Sequence, residues 1–246
     1  MEETGKIDIK QAAVVLGVNP ETLRRWDRTD RLKARRVGPT AHRYYFETDL
    51  ADFLAENVKY LIDLSWRWVF PKEPAGLPLS LYCEDSFVFK SRLARLESAL
   101  LKEEALADFF PLITSVVGEI GNNSFDHNIG NWPNIPGIFF GYSLKARKII
   151  LADRGQGVLT TLRRAKPDLA SDGEALLAAF TQALSGRGPE KRGNGLKYVR
   201  KVVSDNGMDL FFQSGQASVR INNESSELKT AKESKYLSGC LAILKY

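Results

Sequence analysis

An acid, an amide, a second acid and a histidine recur along one side of an otherwise apolar segment in the middle of the chain. In EIGNNSFDHN, a helical repeat of about 100° per residue puts Glu119, Asn123 and Asp126 on one narrow stripe, with His127 at its edge. A carboxylate at this place could orient and deprotonate a water molecule, and the amide oxygen one turn later could bind a hard cation. A hydrated helix face is the simpler alternative for a stripe that stands alone.

Two glycine-containing motifs follow this stripe along the chain. They are D-x-G-x-G at Asp153, Gly155 and Gly157, and G-x-G-L at Gly193, Gly195 and Leu196. Glycine lets a backbone come close to a ligand, and the free N–H groups of a helix that begins at Gly195 could hold phosphates. Because the chain has no G-x-x-x-x-G-K-[ST] motif, a Walker-type nucleotide site is excluded. Each motif alone is also compatible with an ordinary turn.

A third group of candidate residues is basic and lies near the start of the chain. The segment 24–43 holds eight lysines and arginines against two acids, whereas the whole chain carries a net charge of only +5. This local excess of positive charge favours a nucleic-acid contact over a generally basic surface. The candidate contact residues are Arg24, Arg25, Arg28, Arg35, Arg36, His42 and Arg43. A solvated face on a protein-binding domain is the alternative.

Local sequence signals predict the elements that would present these basic residues. Apolar residues at helical spacing predict a helix over Ile9–Leu16, ended by Gly17. Asn19 and Pro20 are a good N-cap and first position for a second helix, which would turn its arginines outward. The segment 31–46 then predicts two short strands around a Gly-Pro turn, which would form a basic wing. In a helix-turn-helix domain, the second helix enters the major groove of DNA.

The order of these features resembles the winged helix-turn-helix of the MerR and excisionase families. The resemblance rests on TLRRWDR, the following LKARR and the later HRYY, all within residues 1–57. It implies double-stranded DNA as a partner, with Arg24 and Arg25 as base-reading residues and the wing on the DNA backbone. MerR regulators often pair through a long coiled coil, and no comparable heptad tract follows here.

The stripe and the glycine motifs need a larger body to position them. Apolar residues between Leu112 and Ile120 recur at steps of three and four, which predicts a helix with one buried face. Strands are predicted over Ile138–Leu144 and Lys148–Ala152, so that Asp153 directly follows the second. Gly195 opens an amphipathic helix, and strand-like segments over 209–215, 217–221 and 239–246 close the chain.

In this order the three motifs resemble the GHKL ATPases, the class of DNA gyrase, the mismatch-repair protein MutL and sensor histidine kinases. The resemblance covers residues 99–246 and implies ATP and Mg²⁺ as cofactors. It implies that Asn123 binds the magnesium ion, that Asp153 accepts the adenine amino group, and that Glu119 is the general base that activates water. Asp126 and His127 would lie at the phosphates, and the glycines of both motifs, with Leu196, would line the base, ribose and lid.

The chain also departs from this family in two respects. Cys240 stands where many relatives have a threonine near the adenine, and no helical hairpin with a phosphoacceptor histidine is present, so a self-phosphorylating kinase is not expected. The leading hypothesis is a regulator that binds DNA and hydrolyses ATP, paired as a homodimer at least when ATP is bound. The alternatives are a serine kinase of the anti-sigma type, acting on a protein partner encoded nearby, and an ATP sensor that hardly hydrolyses.

Composition limits the remaining classes of protein. With 43% hydrophobic and 26% charged residues, the 246-residue chain is an ordinary globular protein. It has no apolar run of membrane-spanning length, and its polar N-terminus does not resemble a signal peptide, so we expect a cytoplasmic protein without a membrane partner. Two distant cysteines and two histidines make a structural zinc site implausible.

The predicted fold class is therefore α+β, in three regions. Residues 1–57 are the winged helix-turn-helix, and residues 58–98 are a connecting and edge segment packed on the next region. Residues 99–246 are an α/β sandwich of the GHKL type, in which a mixed sheet is covered by helices.

Overall fold

The computed structural model of the chain describes residues 5–36, 38, 41–183, 194–223 and 227–246. Gly193, one of the predicted site residues, lies outside the described residues. No helix in the described part of the chain is both long enough and apolar enough to cross a membrane.

Two predicted helices of the N-terminal domain are confirmed. Helix α1 spans Ile9–Leu16 and ends at Gly17, whose φ of 64° is left-handed, as a helix C-cap requires. Helix α2 spans Pro20–Arg28, and the Asn19 side chain accepts a hydrogen bond from the Thr22 N–H at 2.8 Å. Local capping chemistry, which the sequence contains in full, therefore sets the turn between the two helices.

The wing differs from its prediction. Strand β1, Lys6–Asp8, pairs antiparallel with β2, Tyr44–Phe46. Within the described residues, Arg35 forms only an isolated bridge with Tyr44, so the first predicted wing strand is wrong as a regular strand. The reason is that β2 finds its partner in the segment before α1, which carried no strand signal of its own.

A helix that the sequence did not reveal joins the N-terminal domain to the rest of the chain. Helix α3 spans Glu47–Glu56 and α4 spans Val58–Val69, so a single residue, Asn57, separates them. We call residues 58–246 the body. Leu61, Leu64 and Trp68 of α4 are buried against the main sheet. After α4 the chain continues with strand β3, Tyr82–Cys83, and helix α5, Ser86–Leu100.

The main sheet has five strands in the order β3-β4-β5-β7-β6. The remaining strands are β4, Ile138–Ser143; β5, Lys148–Asp153; β6, Asp209–Ile221; and β7, Thr230–Lys245. The predicted mixed sheet is wrong, because every pair among the described strands is antiparallel. The cause is that β4–β5 and β6–β7 are consecutive antiparallel pairs, and β7 runs back alongside β5.

Helices cover one face of this sheet. They are α5 together with α6, Phe110–Asn128; α7, Gly157–Leu162; α8, Asp172–Thr181; and α9, Gly195–Asp205. Val116 and Val117 of α6 and Val199 of α9 meet Phe140 and Leu151 of the sheet in one buried cluster. This layer carries the stripe on α6, Gly157 at the start of α7 and Gly195 at the start of α9.

The opposite face of the sheet is covered by α4 and the N-terminal domain. A second buried cluster runs from Leu16 and Leu54 through Leu64 to Ile150 and Leu241 of the sheet. The helix-turn-helix therefore shares one continuous apolar core with the body.

Candidate functional site

A cavity lies between α6, the loop after β5, the start of α9 and strands β6 and β7. Its empty volume, with the open solvent at its mouth included, is about 750 Å³. Ile120, Val158, Leu162, Leu196 and Phe212 form apolar walls. The predicted residues that line it are Asn123, His127, Asp153, Gly157, Gly195 and Leu196. Three predicted groups, from α6, β5 and α9, therefore meet at one cavity.

Asp153 is a buried carboxylate in the lining of this cavity. It is the last residue of β5 and only 1% exposed. Its carboxylate accepts hydrogen bonds from Ser124 Oγ at 2.8 Å and from the Gly155 N–H at 2.9 Å. Burial outweighs these bonds and raises the pKa of Asp153 to about 6. At neutral pH the group is therefore mostly an ionised acceptor inside an apolar pocket.

The two glycines after Asp153 are required for close packing of the loop. Gly157 has a φ of 77°, and a Cβ there would lie 2.7 Å from the Ser238 carbonyl oxygen. A Cβ on Gly155 would overlap the Asn128 side-chain amide. The structure thus gives these glycines a packing role, which sequence reasoning had not included beside ligand approach.

Asn128 is a site residue that sequence reasoning missed. It is 4% exposed, its Oδ1 accepts the Gln156 N–H at 2.9 Å, and its Nδ2 donates to the Ser124 carbonyl at 2.7 Å. It therefore ties the end of α6 to the loop after β5. The available signal was an asparagine at the end of the quoted stretch, four residues after Ser124, on the side of the helix away from the stripe.

Only part of the predicted stripe lines the cavity. Asn123 and His127 line the cavity, whereas Asp126 is exposed. Glu119 is half-buried at the start of α9, where a Cβ on Gly195 would lie 2.6 Å from Glu119 Oε2 and 3.2 Å from Asn123 Nδ2. The cavity faces the side of α6 between Asn123 and Ser124, so the acids lie toward its outer edge.

The basic surface of the N-terminal domain contains two groups of arginines. Arg24, Arg25 and Arg28 are exposed on α2. Arg24 and Arg28 pair with Glu21 of the same helix, at 3.0 and 3.3 Å. Exposed pairs of this kind contribute little to stability, so the guanidinium groups can exchange Glu21 for another anion.

The wing arginines are held by carboxylates. Asp27 is 4% exposed and accepts hydrogen bonds from Arg36 at 2.7 Å, from Arg43 at 2.8 Å and from the Ala34 N–H at 3.0 Å. Burial alone would raise the pKa of Asp27, but these bonds lower it to about 2. Arg35 forms two bonds of 3.1 Å with Asp49. His42 is exposed at the wing. These arginines hold the wing onto α2 and α3, which the sequence pattern did not indicate.

Comparison with known proteins identifies one domain. The family described as "Helix-turn-helix domain" matches residues 7–58. No curated protein matches the chain. The chain therefore carries an N-terminal helix-turn-helix domain, which indicates a DNA-binding regulator with DNA as its partner.

The exposed arginines of α2 give a first prediction. The double variant Arg24→Gln/Arg25→Gln should weaken binding of the full chain to duplex DNA and lower the log–log salt slope, because it removes two positive charges from the helix that faces the DNA. Fluorescence anisotropy at several salt concentrations measures both. The control is Lys229→Gln/Lys232→Gln, which removes the same charge from exposed positions at the start of β7 and just before it. Unchanged affinity and slope in the arginine variant would rule out α2 as the reader.

Proposed function

We propose that the chain is an ATP-binding, DNA-binding regulator of the GHKL type, in which Mg-ATP binding and hydrolysis by residues 99–246 control the DNA-bound and oligomeric state. The observation that carries this proposal is the cavity with one buried carboxylate, Asp153, in its lining. The lining also includes an amide, a histidine and the first turn of α9.

The apolar walls of the cavity fit an adenine base. The walls of Ile120, Val158 and Phe212 suit a flat aromatic ring, and Asp153 supplies an acceptor for an amino group. A guanine ring has a carbonyl oxygen at the corresponding position, which an ionised carboxylate would repel. The proposal therefore includes a preference for ATP over GTP.

The polar residues near the start of α9 fit phosphates and magnesium. Asn123 offers an amide oxygen as a magnesium ligand, and the first N–H groups of α9 can hold phosphate oxygens. A bound magnesium ion would neutralise phosphate charge. Glu119 lies beside Asn123 and Gly195, where its carboxylate could hold a water molecule and accept its proton.

Calorimetry with Mg-ATP tests the proposed site. Asn123→Ala and Asp153→Asn should each weaken binding about 10- to 100-fold, because each removes a hydrogen bond or metal bond to a charged or buried group. Asn131→Ala, an exposed position just after α6, is the control. Binding should also weaken below about pH 6, where Asp153 becomes protonated and loses its acceptor. Unchanged affinity in both site variants would eliminate the site.

A further inference from the structure

The loop of the cavity is attached to α4 through Arg154. This residue follows Asp153 directly, but its side chain is 6% exposed and reaches the opposite face of the sheet. Its guanidinium donates to the carbonyls of Trp68, Val69, Pro71 and Lys72, at 2.5 to 3.2 Å. A cation at the C-terminal end of a helix is stabilised by the helix dipole. These hydrogen bonds form the first of two arginine clamps, and this one joins the loop after β5 to the end of α4.

A second arginine clamp joins α4 to the helix-turn-helix. Arg67 of α4 donates to the carbonyls of Val14 and Val15 at the C-terminal end of α1, both at 2.7 Å. Its Nε is held by Asp63 at 2.7 Å. A Cβ on Gly17 would lie 2.8 Å from Asp63 Oδ2. The end of α1, directly before the reading helix, therefore packs tightly against α4.

We propose that Arg154 and Arg67 are positioning residues that couple occupancy of the cavity to DNA binding within a single chain. This inference rests on the proposed function. A nucleotide that orders the loop after β5 also orders α4 and, through Arg67, the end of α1. DNA then meets a reader that is already ordered and binds more tightly, because less conformational entropy is lost in the second step. By linkage, DNA must raise the affinity for the nucleotide by the same factor.

The test measures DNA affinity of the full chain with and without Mg-ATP. The probe is a fluorescent duplex enriched from a random-sequence pool by the wild-type protein. Wild type should bind it about 5- to 150-fold more tightly with Mg-ATP, and calorimetry should give the same factor for Mg-ATP with and without the duplex. Arg67→Gln should keep the affinity for DNA alone and the affinity for Mg-ATP alone. It should bring the ratio of DNA affinities with and without Mg-ATP close to one. Arg154→Lys, which keeps the charge and loses the forked donor, should also reduce the ratio.

Arg92→Gln is the matched control. Arg92 also donates to two backbone carbonyls, of Leu79 and Ser80, but it starts from α5 and not from the cavity loop. In Arg92→Gln, the ratio of DNA affinities with and without Mg-ATP should remain that of wild type. The inference is overturned if both Arg67→Gln and Arg154→Lys keep the wild-type ratio of DNA affinities with and without Mg-ATP. It is also overturned if the wild-type ratio falls to one at protein concentrations too low for chains to pair, which would assign the coupling to pairing. If the wild type binds both ligands but its DNA affinity is the same with and without Mg-ATP, the inference alone is overturned. If the wild type does not bind Mg-ATP, both the inference and the proposed function are overturned.

Discussion

Replacing Glu119 by alanine should slow ATP hydrolysis by about 10²–10⁴-fold while the affinity for Mg-ATP stays nearly unchanged. The reason is that Glu119 lies beside Asn123 and the start of α9 but is not among the residues that line the cavity. Steady-state turnover and calorimetry measure the two quantities. Glu97→Ala, which removes an exposed acid from α5, should leave both unchanged.

The same variant separates the three candidate activities. If hydrolysis alone is lost, the ATP-bound state should accumulate and light scattering should show a longer-lived dimer. Normal hydrolysis in the variant would make Glu119 an ordinary helix-face carboxylate. A variant that is inactive, monomeric and independent of ATP for DNA binding would favour phosphate transfer to a partner protein. A wild-type chain that binds ATP without turnover would be a sensor.

Replacing Asp27 by asparagine should lower the free energy of unfolding by about 2 kcal/mol, because the partly exposed Arg36 and Arg43 would lose the charged acceptor of their hydrogen bonds. Urea denaturation of the full chain measures this loss. Asp30→Asn is the matched control, since Asp30 pairs with Lys33 at an exposed position where such pairs contribute about 0–1 kcal/mol. Equal losses in the two variants would contradict a special role for Asp27.

The pH dependence of stability gives the same prediction a second measurement. The pKa of Asp27 falls from its ordinary 3.8 to about 2 on folding. A group whose pKa is lowered by folding stabilises the protein above its unfolded pKa, and this contribution disappears as the pH falls through the folded value. The wild type should therefore lose stability between about pH 4 and pH 2 that Asp27→Asn does not lose.

Elements with local signals could be predicted from the sequence. Gly17, Asn19 and Pro20 determine the ends of α1 and α2 through contacts within a few residues. The short apolar runs near Ile138 and Lys148 likewise give β4 and β5 to within a residue. In each case the signal and the structure it determines lie in the same short segment.

Elements that depend on distant contacts could not be predicted. The segments 209–215 and 217–221 form one strand, because Gly215, with a φ of 62°, bends β6 without ending it. Strand β7 begins at Thr230 and not near Gly239. Its first half was missed because it is polar and largely exposed and therefore carries no apolar strand signal. Similarly, Asp153 and its glycines were predicted from their motif, whereas Asn128 and Arg154 act on partners far along the chain.

The single residue between α3 and α4 has a consequence for the DNA target. A reader on a flexible tether can engage half-sites over a range of separations, but here Asn57 alone joins two helices that share a core with the sheet. Two paired chains would then hold their reading helices at one fixed separation and rotation. An insertion of about five base pairs, half a helical turn, would move one half-site to the opposite side of the duplex. The DNA target should therefore require a fixed helical phase between its two half-sites as well as particular bases.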